Sequence, residues 1–197
     1  MATNFPTSLD ALTNPSSGDA LNSPSHAGQH SDANDAIEAL QAKVGVNGSA
    51  VTTSLDYKLR FQTNPVLIGP EERWTVSATA ATGTVNVDAS TTTLIYYTSN
   101  ASANWTFNFR GSASVTLNTL LATVNDSITI AFAVTNGATA YRATAFQIDG
   151  VAVTPKWQGG SAPSAGSANA IDLYNFTIVK TAATPTYTVF ASFTKFA

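Results

Sequence analysis

The residues best suited to chemistry gather near the start of the chain. His26 and His30 are its two histidines, and Ser31, Asp32, Asn34 and Asp35 follow at once. Imidazole and carboxylate together suit a metal or a general acid/base pair. A His-x-x-x-His pair binds metal well on a helix, where i and i+4 share a face. Here Ala27-Gly28 lies between the two, and no apolar period runs through them. The expectation is therefore two turn histidines that hydrogen-bond locally, leaving His26 and His30 as weak metal candidates. In a symmetric oligomer, one histidine per chain on the axis could still hold a metal or an anion. Ser31 or Asp32 can accept from the free N–H groups of a helix's first turn. Asp35 would then sit at the positive end of the helix dipole. Capping explains these residue types without a substrate.

Other constellations are sparse. The chain has no GxSxG elbow, no Walker A loop and no GxGxxG. Beyond His30 there is no histidine, so a Ser-His-Asp triad cannot form in the later part of the chain. Glu71-Glu72 resembles the carboxylate pair of a glycosidase, but neighbours on extended chain point oppositely. Asp88, Asp126, Asp149 and Asp172 stand at turn or strand edges. The reading is a non-enzyme with no catalytic residues, no cofactor and no metal. The best binding candidate is "VTPKWQGGSAPSAGSAN" (residues 153–169), where Lys156, Trp157 and Gln158 precede a Gly/Ser/Ala loop. An indole beside small residues can stack on a sugar face; alternatively, Trp157 caps one end of a core.

Composition narrows the partners. Charged residues make up 11% of the 197 residues, against about 25% in ordinary soluble domains. The net charge is −3, with no basic cluster, so nucleic acid is not an expected partner. No apolar run approaches a membrane span, and the first residues, "MATNFPTSLDALTNP", lack the basic start and apolar core of a signal peptide. No cysteine is present, which excludes disulfides and thiolate ligands.

The elements that must position these residues fall into three parts. Residues 1–30 read as an extended arm, punctuated by Pro6, Pro15 and Pro24. Its isolated apolar residues Phe5, Leu9, Leu12 and Leu21 are the expected anchors to a partner. Residues 31–73 read as a short helix plus linker. Ala33, Ile37, Leu40 and Val44 form one stripe, and Gly45 stops the helix. Such a stripe is marginal alone and fits a short self-associating bundle or packing on its own β-domain. "SLDYKLRF" alternates like a strand, yet Ser54 could also cap a short helix with Leu55 and Leu59 on one side. Residues 74–197 are β throughout: Trp105, Phe107 and Phe109 share a face, as do Ile128, Ile130, Phe132 and Val134, and Tyr174, Phe176 and Ile178. The expected fold is mainly β: an N-terminal extended arm and short α-helix, then an antiparallel β-sandwich of jelly-roll type. No solenoid-like repeat is visible.

Two stretches carry a resemblance. "FPTSLDALTNP…SHAGQHSDANDAIEALQAKVGV", residues 5 to 46, resembles the N-terminal segment of virion proteins of tailed bacteriophages, often labelled fibre or tail proteins. "TNGATAYRATAFQIDGVAVTPKWQGGSAPSAGSANAIDLYNFTIVKT" resembles C-terminal domains of similar phage structural proteins. Together they cover a little under half of the chain. The resemblance implies a trimeric virion component whose N-terminal end docks on other virion proteins, of capsid or tail, while the β-domain projects. The chain lacks shaft repeats, so a short fibre or a capsid decoration protein suits it better than a long fibre. Two rivals are an adhesin that binds host surface glycan around Trp157 and a glycan-degrading enzyme.

Overall fold

The computed structural model describes residues 14, 16–20, 22, 25–61 and 71–197. The arm residues Phe5, Leu9, Leu12 and Leu21 lie outside the described residues. The chain divides into two units, residues 1–70 and 71–197.

Among its described residues, the first unit holds two helices, α1 (His26–Val44) and α2 (Leu55–Phe61). α1 begins five residues before the expected start at 31. Ser25 is its N-cap, and the Gly28 N–H donates to Ser25 Oγ at 3.2 Å. Ser31, Asp32 and Asp35 therefore lie inside the helix, and the capping role expected of them is wrong. The cause is physical: His26-Ala27-Gly28-Gln29 carries no apolar period, yet a good cap with no β-branched run suffices to extend the helix. Gly45 ends α1 as expected, with φ 85° and its N–H donating to Gln41 O at 2.8 Å. Val46–Ser49 then forms a turn, and Ser54 starts α2, which settles "SLDYKLRF" as helical. Ser54 is buried; its hydroxyl donates to Val51 O (2.8 Å) and accepts the Tyr57 N–H (3.2 Å).

The second unit is a two-sheet sandwich. Its strands are β1 (Thr75–Ser77), β2 (Gly83–Asp88), β3 (Leu94–Tyr97), β4 (Trp105–Arg110), β5 (Ser127–Thr135), β6 (Ala143–Ile148), β7 (Val151–Ala152), β8 (Lys156–Trp157), β9 (Ile171–Ala182) and β10 (Thr186–Phe196). A single helical turn, α3 (Leu117–Leu120), lies between β4 and β5. One sheet has the order β1-β3-β5-β9-β10-β8, the other β2-β4-β6-β7. The mainly β class and the early helix agree with the sequence. The pairing does not. From β1 to β6 the chain alternates between the sheets, so β1, β3 and β5 run parallel, as do β2, β4 and β6. Antiparallel pairing is confined to β5-β9-β10 and the β6-β7 hairpin. The first six strands thus wind as a flattened coil, not as a jelly roll. Each strand of one sheet is the crossover that a parallel pair in the other requires.

Winding aligns like with like. On the inner face, Val85, Phe107 and Phe146 form one row, and Val87, Phe109 and Ile148 the next. On the outer face Asn86, Asn108 and Gln147 stand in register, and Asn108 Nδ2 donates to Asn86 Oδ1 at 2.8 Å. Phe107, fully buried, lies edge-on to Phe132 (4.9 Å), Phe176 (5.2 Å) and Tyr174 (5.6 Å). Such aromatic pairs add about 0.5–1.5 kcal/mol each beyond the burial of their area.

Candidate functional site

Two places collect the residues singled out above. The first is the start of α1. Four residues apart on one helix, His26 and His30 share a face. Their rings lie 4.5 Å apart and nearly perpendicular, and their Nε2 atoms are 3.2 Å apart. The expectation of two turn histidines is thereby corrected, because the helix starts earlier than its apolar stripe. Among the described residues, no group of three or more His, Asp or Glu gathers as a metal cluster. Further along α1, Ile37, Leu40 and Val44 are about half exposed (53%, 52% and 47%), and Ala33 is partly covered. No residue of α1 is buried.

The second place surrounds Trp157. β8 pairs in parallel with the edge of β10, with Trp157 opposite Ala191. Its indole meets Phe146 at 5.6 Å and Phe176 at 6.4 Å, both edge-on. One side of Trp157 therefore closes the core. The other side borders two shallow depressions. One, of about 340 Å³, has Lys156, Gln158, Asn175, Thr177, Phe190 and Ser192 around it. The other, of about 410 Å³, is bounded by Gln158, Ser161, Pro163, Phe193 and Thr194. Both offer amides, hydroxyls and ring faces. Phe190 and Lys156 are exposed.

The loop after Trp157 is held from below. Gly159 and Gly160 take φ values of 77° and 84°, which fold Gln158–Gly160 into a tight turn. At the far end Asp172, fully buried, accepts from Ser167 N and from Asn136 Nδ2, each at 2.9 Å. Asn136 in turn donates to Tyr141 O and accepts the Tyr141 N–H. A Cβ on Gly166 would strike the Tyr141 carbonyl. Sequence reading placed Asp172 only at a strand edge; its alternation with Tyr174 and Phe176, one face of β9, was the available sign of burial.

Asp88, Asp149 and Asp126 are structural in their placement. Asp88 pairs with Arg110 across β2 and β4 at 2.6 Å. Asp149 accepts the Leu117 N–H with both oxygens, at 2.9 and 3.0 Å. Asp126 accepts the Thr123 N–H at 2.8 Å. Glu71 and Glu72 are exposed.

These features define a mainly β sandwich, half of it a parallel two-sheet coil, with a helical unit before it. No protein-family model, curated protein or solved structure matches the chain.

Proposed function

We propose that the chain is a structural component of a bacteriophage virion, a short fibre or a decoration protein. Its N-terminal arm anchors it to other virion proteins, its helical unit associates in threes, and its β-sandwich forms the exposed head. The observation that carries this reading is the apolar stripe of α1. Ile37, Leu40 and Val44 remain about half exposed, and Leu55 and Leu59 of α2 are exposed as well. Burying such side chains contributes about 1.5–3 kcal/mol each, and helices in proteins draw most of their stability from packing an apolar face. Spacings of four, three and four are those of a bundle seam. The resemblance of residues 5–46 to phage virion proteins supplies the setting. Particles purified from a host carrying the gene test the reading. Antibody to the head should label intact particles at a fixed position; particles that lack the chain would overturn it.

The depressions beside Trp157 favour a second reading, in which the head also binds a neutral host glycan. Gln158, Asn175, Thr177 and Ser192 can share hydrogen bonds with sugar hydroxyls, and the rings of Phe190 and Phe193 offer apolar faces. Changing Trp157 alone would disturb the core it closes, so Phe190→Ala is the cleaner variant. If host adsorption falls while assembly and head stability persist, the head is an adhesin. Unchanged adsorption argues against it.

A further inference from the structure

We propose that His26 and His30 form a two-histidine site for a divalent transition-metal ion of the zinc type. Neither the fibre reading nor the glycan reading uses these residues, and the proposal stands apart from both.

Geometry is the first argument. The two Nε2 atoms lie 3.2 Å apart. With zinc–nitrogen bonds of about 2.0–2.1 Å, an ion bound to both would subtend an angle of about 100°, near the tetrahedral value. Without an ion, this approach needs one ring to offer its N–H to the other's lone pair. An ion replaces that single proton and engages both lone pairs.

Rigidity is the second argument. Both rings stand on consecutive turns of one helix, so neither needs a loop to bring it into place. Ser25 caps the turn beneath them through the Gly28 N–H. Both histidines are exposed, which leaves an open path for the ion and room for solvent to complete its coordination. Imidazole suits zinc, copper and nickel, whereas magnesium and calcium take oxygen donors. One effect opposes binding: the N-terminal end of a helix disfavours a cation, and α1 has no acidic residue in its first turn. The site therefore depends on the two nitrogens acting together.

The test uses the full chain. Zinc chloride is titrated calorimetrically into the protein in a buffer that does not chelate metals. Saturable binding is expected, and magnesium chloride should give none. Because the second nitrogen binds intramolecularly once the first is engaged, His26→Ala and His30→Ala should each weaken zinc by about tenfold or more. Far-UV circular dichroism checks that the helix persists, which exposed positions and alanine's helix propensity favour. A paired variant, His30→Ser with Ser31→His, keeps both histidines but moves one off the shared face; it should bind like the single variants. Zinc affinity that is unchanged in the single or paired variants overturns the proposal, as does the absence of saturable binding.

Discussion

Tyr174 sits at the middle of the head's core, and its phenol is held well above its ordinary range. Burial is the main cause; the neighbouring charge of Asp172 adds to it, while the Ala143 N–H and Arg142 act the other way. Burial also raises Tyr97 and Tyr187. A raised phenol favours the protonated folded state. Its contribution is fully present below about pH 10, where the unfolded phenol ionises, and is lost as pH rises further. The urea midpoint of the head should therefore hold steady up to about pH 10 and fall as pH rises beyond it. Tyr174→Phe should flatten that fall, at the cost of the bond that its hydroxyl accepts from Ala143 N (3.3 Å). An identical pH profile in the variant would show that the alkaline loss arises elsewhere.

The two glycines of α1 and its cap make opposite predictions. Gly45 has φ +85°, and a Cβ there would lie 2.8 Å from Ser54 Oγ and 2.9 Å from Ser54 Cβ. With ψ 158° this is a region that glycine alone occupies readily, and an L residue there costs about 1–3 kcal/mol, before any displacement of the buried Ser54. Gly45→Ala should thus lower the helical signal at 222 nm and its melting midpoint. Gly28 is different: it is helical, and its Cβ would meet only the Ser25 side chain, at 3.5 Å. Gly28→Ala should stabilise the helix by about 0.5–1 kcal/mol. A Gly45→Ala variant whose helix is as stable as the parent's, or more so, would contradict the assignment of Gly45 as the C-cap. This helix also shows what the sequence could reveal. Its stop was legible, because glycine at a stripe's end has one common use. Its start was not, because residues 26–29 offer no apolar period, and with the start went the geometry of the histidine pair. In the head, the inward faces of β4, β5, β9 and β10 were legible from alternation alone, since Trp105, Phe107, Ile130, Phe132, Tyr174, Phe176 and Val189 are all buried. Pairing direction was not. Alternation reads the same in parallel and antiparallel sheets. The connections at residues 78–82 and 89–93 are about five residues long, enough to turn back within a sheet or to cross the roughly 10 Å to the other.

At the scale of the whole molecule, the described residues of the two units differ in how completely they bury their apolar side chains. The head encloses a core running from Ala81 to Ala191. In the first unit, the buried residues among those described are Ser49 and Ser54, both polar, and the large apolar side chains Ile37, Leu40, Val44, Leu55 and Leu59 are exposed. A hydrogen-bonded serine pair fixes the turn between α1 and α2 but supplies little hydrophobic stabilisation. Association of several copies through α1 would remove that stripe from water. Sedimentation equilibrium of the full chain at micromolar concentration, alongside Ile37→Asp, tests this most directly. The expected result is a mass of three chains for the unaltered protein and a shift towards one chain for the variant. A single-chain mass for the unaltered protein, insensitive to Ile37→Asp, would contradict the account.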